Sequence, residues 1–197
     1  EVSSDPLLSE SKLREFGILE EGEVFLGVEQ FIHPQKVSFI GATFSAYLLS
    51  LVDKDGKITT RRFVTKVCDN DQTASVNQGL AEAEVRRIRR FEEVFEGHKS
   101  LVRTPKVYTN FPNGNGSGVI VRDFVSDHNK TVGGIAKNPD FEPVKRRVEI
   151  LNGLIYAAAM LDQKGIKSKN LFGSFLYDGT AWNYIGGSDL HLEEAGN

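Results

Sequence analysis

Hydrophobic residues in this chain follow two different periods, and the order in which those periods appear limits the folds open to it. From Val37 to Val67 the chain is rich in β-branched and aromatic residues, with a cluster of Asp and Gly at 53–56. Such runs favour strands, and a turn cluster between them is typical of a hairpin. Residues 72–97 then carry apolar positions at helical spacing and stop at Gly97. The sequence therefore predicts an antiparallel meander of three strands followed by a helix.

The second half of the chain continues this mixed pattern. Two short strands are predicted within 106–125, followed by a polar linker at 128–143 with at most one short helix. Residues 144–165 predict a long, substantially buried helix, and 170–187 predict a short hairpin around an Asp-Gly turn. The expected fold class is α+β: an antiparallel sheet with one packed helix, then a long buried helix and a short β-hairpin.

Residues 1–36 differ from the rest because their leucines and phenylalanines are scattered among many acidic residues. This pattern predicts an extension with one or two short helices. Its apolar side chains must be covered either by this domain or by another protein.

Composition and charge exclude several classes of protein. Lys and Arg number 24 against 27 Asp and Glu, so the net charge of −3 offers no positive field for nucleic acid. Cys68 is the single cysteine, which excludes an intrachain disulfide and a site built on several thiolates. The four histidines are dispersed without the spacing of a metal site, and no apolar run is long enough to span a membrane. We expect a soluble protein, intracellular or organellar rather than secreted.

The order of three strands, one helix, two strands, a linker, a long helix and a small hairpin resembles the protein-kinase fold over residues 37–190. The resemblance implies a small-lobe-like region at 37–127. It further implies that 128–197 holds the linker, the long helix and the terminal hairpin of a partial large lobe, preceded by an N-terminal extension at 1–36. The protein would then be a degenerate, truncated kinase-like chain.

The resemblance also implies a nucleotide-binding site. In a protein kinase a lysine on the third strand holds the nucleotide phosphates, and a glutamate on the next helix pairs with it. Lys66 stands at the matching place on its strand, and Glu84 lies within the apolar stripe of the following helix. A buried Lys66–Glu84 pair would satisfy both charges, whereas two solvent-facing side chains would need no pair. With Gly41 as the one glycine at the place of the Gly-rich loop, these residues form the implied site. No cofactor is expected, and ATP is the one cofactor that the resemblance allows.

The catalytic segment departs from the kinase pattern. The register places Lys169 where the catalytic aspartate stands, Ser174 where the metal-binding asparagine stands, and Gly186 at the start of the D-F-G motif. Phosphoryl transfer depends on these carboxylates and on the metal ions they hold. The sequence therefore predicts no catalytic residue and no metal site.

Two groups of residues are candidates for binding a protein partner. One is a basic cluster on the polar side of the helix at 72–97, although neighbouring glutamates could neutralise it as a solvated face. The other is the aromatic final hairpin, which could dock a partner or pack into the core. The candidate residues are Arg86, Arg87, Arg89, Arg90, Phe175, Tyr177 and Trp182.

The leading hypothesis is a non-catalytic protein-binding or scaffolding protein on a kinase-like fold. The alternative is a structural or linker subunit of a large multi-protein assembly with no relation to kinases. A third is a divergent phosphotransferase that uses Asp178 or Asp189 in an altered loop. The expected partner in the first two cases is another protein or a larger assembly.

Overall fold

A computed structural model describes residues 8–36, 42–68, 74–112, 118–125, 131–138, 140–167, 172–184 and 193–194. The helices are α1 (Glu10–Glu15), α2 (Ala74–Val94), α3 (Val132–Lys137) and α4 (Val144–Gln163). The strands are β1 (Val24–Lys36), β2 (Ala42–Val52), β3 (Ile58–Cys68), β4 (Val102–Arg103), β5 (Val107–Pro112), β6 (Gly118–Asp123), β7 (Ile166–Lys167), β8 (Phe175–Tyr177), β9 (Trp182–Tyr184) and β10 (Glu193–Glu194). The chain divides into two compact units, one formed by residues 1–83 and 106–124 and the other by 84–105 and 125–197.

The first unit is built on a five-stranded sheet with the order β1-β2-β3-β6-β5, in which every neighbouring pair is antiparallel. The prediction that the strands of 37–67 share one sheet with those of 106–125 is confirmed by the pairing of β3 with β6. The α+β fold class is confirmed as well. The predicted division of the chain at residues 36 and 127 stays a prediction.

The turn between β2 and β3 is fixed by one aspartate. The Asp53 carboxylate accepts hydrogen bonds from the backbone N–H groups of Asp55 and Lys57, at 3.0 and 2.9 Å. Gly56 adopts φ +77°, a conformation that favours glycine because it carries no Cβ. The predicted hairpin turn is thus confirmed.

The prediction for residues 1–36 is only partly right. The short helix α1 is present and Ser9 caps its start, but residues 24–36 form the edge strand β1 rather than part of a helical extension. The strand predicted from Val37 includes residues 37–41, which lie outside the described residues. Local pattern misplaced the first strand because the β-pairing of Val24–Lys36 with β2 depends on contacts distant in sequence.

The apolar side chains before β1 are covered by this same unit. Leu8, Leu13, Ile18 and Leu19 are all buried, and they belong to one cluster with Phe63 and other core residues of the sheet. Burial of this kind stabilises each side chain by about 2 kcal/mol relative to an exposed position. These residues therefore require no other protein to shield them.

An ion pair ties the residues before β1 to the centre of the sheet. The Glu23 carboxylate, 6% exposed, accepts hydrogen bonds from both Nη atoms of Arg61 at 2.8 and 3.0 Å. Arg61 also donates to the carbonyl of Ile18, and Glu23 accepts from the backbone N–H of Glu20 at 2.8 Å. The hydrogen bond from Arg61 lowers the pKa of Glu23 below its ordinary value, against the raising effect of burial.

The second unit contains α3, α4 and a three-stranded sheet with the order β4-β9-β8. The indole Nε1 of Trp182 in β9 donates a 2.9 Å hydrogen bond to the carbonyl of Ile150 in α4. Phe91 stacks on Tyr184 with ring centroids 4.0 Å apart, and Phe175 packs against both rings. The final hairpin is therefore part of the core of this unit.

The long helix is where predicted, but the prediction that it is substantially buried is wrong. Its buried residues form a single stripe, made of Ile150, Leu154, Ala157 and Leu161. Several apolar residues outside this stripe are exposed, among them Val144, Val148, Ile155 and Tyr156. No helix of the described residues is both long and apolar enough to cross a membrane.

Replacing Gly118 by alanine should destabilise the first unit by about 2 kcal/mol because the new Cβ has no room. It would overlap the carbonyl oxygen of Asn77 and lie 2.9 Å from the Cβ of Ala81, both in α2. The matched control is Gly79→Ala within α2 itself, where an added Cβ has no atom within 4 Å. That control should stabilise by about 0.5 to 1 kcal/mol through helix propensity. Urea denaturation measures both, and equal stabilities of the two variants would contradict the close approach of α2 to β6.

Removing the charge of Glu23 should also destabilise the protein, because Arg61 loses its partner. We expect Glu23→Gln to cost about 2 kcal/mol at neutral pH. Since the folded-state pKa of Glu23 is lowered, this stabilisation is present above the unfolded-state pKa and is lost as pH falls through the folded-state pKa. Denaturation of Glu20→Gln, whose exposed carboxylate lies 3.7 Å from the Lys54 amine, is the control and should change stability little. Equal losses in the two variants would show that the buried pair contributes nothing specific.

Candidate functional site

Lys66, the lysine that the kinase resemblance implies would hold the nucleotide phosphates, lies on the central strand of the sheet. Lys66 is 6% exposed and pairs with Phe44 in β2 and with Ile120 in β6. Arg122, opposite Val64 in the same ladder, is 5% exposed. Since opposite residues and alternate residues share a face, Lys66 and Arg122 lie on one face of the sheet. Arg122 donates to the backbone carbonyl of Asp123 at 3.2 Å. Two cations thus lie on one largely buried face of the sheet.

The implied glutamate is buried too. Glu84 is 3% exposed and lies between the buried residues Ala81 and Ile88 of α2. The alternative in which Lys66 and Glu84 face solvent is therefore wrong. Lys66 belongs to the first unit and Glu84 to the second, and their pairing stays a prediction. Gly41 lies outside the described residues.

A single carboxylate, that of Asp178, accepts the hydrogen bonds that form the turn between β8 and β9. Asp178 Oδ1 accepts hydrogen bonds from the backbone N–H of Thr180 at 2.8 Å, from its hydroxyl at 2.7 Å, and from the N–H of Ala181 at 2.9 Å. Asp178 Oδ2 accepts from the amide of Asn183 at 2.7 Å and from Arg103 at 3.3 Å. Gly179 completes the turn with φ +99°. The predicted Asp-Gly turn is confirmed, and its carboxylate has five donors around it.

These donors govern the ionisation of Asp178. Burial raises its pKa, but the hydrogen bonds from Ala181, Asn183 and Thr180 outweigh burial and hold the pKa far below the ordinary aspartate value. A carboxylate with so low a pKa stays ionised at neutral pH and is a poor proton acceptor. The third hypothesis gives a catalytic role to Asp178 or Asp189. For Asp178, this role conflicts with the hydrogen bonds that already hold its carboxylate in the turn.

The residue at the place of the metal-binding asparagine is Ser174. It ends a 3-10 turn at Phe172–Ser174 and is 2% exposed. Lys169, Gly186 and Asp189 lie outside the described residues, so the chemistry assigned to those three positions rests on the sequence alone. No group of three or more His, Cys, Asp or Glu within the described part of the chain could hold a metal ion.

The aromatic residues proposed to dock a partner are not at the surface. Phe175 and Trp182 are each 1% exposed and Tyr177 is 5% exposed. A docking face at these three residues is therefore wrong, and core packing explains them. Sequence alone could not decide this because a hairpin rich in aromatic residues can be buried or exposed.

The basic cluster of α2 is at the surface for three of its four members. Arg86, Arg89 and Arg90 are exposed and Arg87 is half-buried. Arg90 forms an ion pair with Glu93 at 3.0 Å, in the way that the alternative of a neutralised helix face predicts. A role for this cluster in binding a partner stays a prediction. Cys68 is a free cysteine and is buried.

Sequence reasoning missed Arg122 and the exposed face of α4. Arg122 could have been found by aligning the alternation of β6 with that of β3, but this requires the register of two strands separated by the whole of α2. The exposed face of α4 could not be distinguished from its buried face, because both carry apolar residues at helical spacing.

No protein-family model matches the chain, and no curated protein matches it. Among solved structures, the chain is similar to the kinase PK-1 of Cydia pomonella granulovirus, with a TM-score of 0.44 and 18% sequence identity. The similarity covers 83% of this chain and 51% of the viral kinase. This chain therefore spans about half the length of that protein.

Removing the Asp178 carboxylate should open the hairpin. We expect Asp178→Ala to cost about 2 kcal/mol at neutral pH, because several donors lose a charged acceptor. The folded-state pKa is lowered, so the stabilisation is complete above the unfolded-state pKa of about 4 and is lost as pH falls through the folded-state pKa. Denaturation over a range of pH measures this loss, with Asp55→Ala in the other hairpin turn as the exposed control. If the difference in unfolding free energy between Asp178→Ala and Asp55→Ala is as large at acidic pH as at neutral pH, the stabilisation does not come from the ionised Asp178 carboxylate.

Proposed function

We propose that this chain is a non-catalytic protein-binding protein built on a kinase-like arrangement of strands and helices. The observation that carries the proposal is the hydrogen-bond network of Asp178. This network engages one of the two carboxylates, Asp178 and Asp189, that an altered catalytic loop could use.

Charge at the catalytic positions supports the same conclusion. Transfer of a phosphoryl group requires carboxylates that hold magnesium and a base that orients the hydroxyl. The kinase register assigns these places to Lys169, Ser174 and Gly186. A protonated lysine cannot accept the proton of a substrate hydroxyl, a serine hydroxyl is a weak neutral metal ligand, and a glycine supplies no side chain at all.

Asp178 does not make up for these losses. Its two oxygens accept from five donors, and binding a metal ion would require several of those hydrogen bonds to break. Each charged hydrogen bond is worth about 1.5 to 3 kcal/mol, so its release would destabilise the turn that positions the hairpin. We therefore assign Asp178 a structural role.

One observation favours nucleotide binding without turnover as a second candidate function. Lys66 and Arg122 are both buried on one face of the sheet. Both side chains have partners within the protein, and Arg122 donates to the Asp123 carbonyl at 3.2 Å. Their positive charge would also attract a phosphate group, and ATP is the cofactor that the resemblance implies.

The test measures turnover and binding on the same preparations. We expect magnesium-dependent release or transfer of phosphate from ATP to be no faster with the wild-type chain than with Lys66→Met. Magnesium-dependent ATP turnover by the wild-type chain that is absent in Lys66→Met would overturn the non-catalytic proposal.

Binding is followed by thermal unfolding with and without ATP and magnesium. Occupancy at one hundred times Kd stabilises the folded state by about 2.7 kcal/mol, which is an easily measured shift in Tm. A shift that Lys66→Met abolishes and that the exposed Lys57→Met retains would support the second candidate. A shift that survives in both variants would place the nucleotide elsewhere and exclude the Lys66 site.

A further inference from the structure

A row of apolar side chains runs along the outer side of α4 over the whole helix. Val144, Val148 and Ile155 are 66%, 48% and 59% exposed, and the half-buried Leu151 and Ala158 continue the row. The spacing between these five residues alternates between four and three. We call this set, together with Asp162 one step further, the outer row of α4.

The outer row cannot turn into the core of its own unit. The opposite stripe of the helix, from Ile150 to Leu161, is already buried. The hydrogen bond from Trp182 to the carbonyl of Ile150, and the 3.2 Å approach of Leu101 to a Cβ built on Gly153, fix the rotation of the helix. A helix that is apolar on a second side is typical of one that meets another protein surface.

The spacing of the outer row is that of a two-stranded coiled coil. Val148, Ile155 and Asp162 fall at one heptad position, and Val144, Leu151 and Ala158 at the other. Such a row meets a second helix of the same kind, side chain against side chain. The partner surface is therefore helical and apolar along one stripe.

The charges on α4 favour an antiparallel second copy of the same helix. Lys145 and Arg146 are exposed in the first turn, which has no acidic residue and no side-chain cap, and Arg146 pairs with Glu149 one turn further on at 3.3 Å. Asp162 is exposed in the last turn, and the exposed Lys164 follows it at the C-cap. Because the helix dipole adds positive charge at the start and negative charge at the end, the two ends of α4 are oppositely charged. Two antiparallel copies would bring each positive end beside a negative end.

We propose that the outer row of α4 is the contact surface of a homodimer in which two α4 helices pair antiparallel about a twofold axis. Ile155 of one protomer lies opposite the partner's Leu151, and Val148 lies opposite the partner's Ala158. Lys145 lies next to the partner's Asp162 at both ends of the contact. This inference deepens the proposed function by naming a second copy of this chain as the bound protein.

The expected dimer is weak. One helix of 20 residues spans about 30 Å, and a single helix pair buries less than the about 1,600 Å² of a standard interface. We therefore expect a concentration-dependent equilibrium with Kd of about 1 to 100 µM.

Sedimentation equilibrium across the micromolar range tests the surface. The wild-type chain should pass from monomer to dimer, and Val148→Asp with Ile155→Asp should remain monomeric at every concentration. The matched control is Ile58→Asp, because Ile58 is 70% exposed at the start of β3 and lies outside α4. It should dimerise as the wild type does, and circular dichroism confirms that each variant is folded. A wild-type chain that stays monomeric throughout would overturn the proposal, as would a dimer that the two α4 substitutions leave unchanged.

Charge reversal tests the antiparallel arrangement separately from stability. Lys145→Glu and Asp162→Lys should each weaken the dimer by about tenfold, because each replaces two attractive contacts by two repulsive ones. The variant that carries both Lys145→Glu and Asp162→Lys should regain the wild-type dimer affinity. If its loss of affinity is instead the sum of the two single losses, the antiparallel pairing is excluded. The sedimentation measurement uses no nucleotide, so a monomeric wild-type chain would refute the dimer and leave the non-catalytic proposal unaffected. Turnover of ATP would refute the non-catalytic proposal and leave the dimer unaffected.

Discussion

The register of β3 against its two neighbours is the constraint on which the first unit depends. Phe63 lies on one face of this central strand, fully buried against the residues before β1, and Lys66 lies on the other. A shift of one residue would exchange the two faces and place a charged amine in the apolar cluster. The turn at Asp53 fixes the pairing with β2, and Gly118 allows α2 to approach the opposite face closely. One strand thus sets both the apolar core and the buried cation.

The second unit depends in a similar way on the hairpin β8–β9. Asp178 closes its turn, and Trp182 and Phe175 then point into the core beside α4 and α2. The same carboxylate that makes this packing possible accepts hydrogen bonds from five donors. The proposed function therefore assigns Asp178 a structural role in this turn.

Apolar residues lie on two sides of α4. Only one stripe can face the core, so the remaining row, with Val148 and Ile155, is left at the surface. The opposite charges at the two ends of the helix make that row complementary to its own antiparallel copy. The polar face of α2, by contrast, partly neutralises itself through the Arg90–Glu93 pair.

Local sequence by itself determined the turns, most of the strands and helices, and their order. The Asp53 and Asp178 turns follow from side chains that accept hydrogen bonds from the next few residues, so distant contacts are not needed to predict them. The tertiary structure alone decided that residues 24–36 form an edge strand, that Lys66 and Arg122 share a buried face, and which side of α4 is exposed. Periodicity identifies the faces of an element, but which face is buried depends on what packs against it from far along the chain.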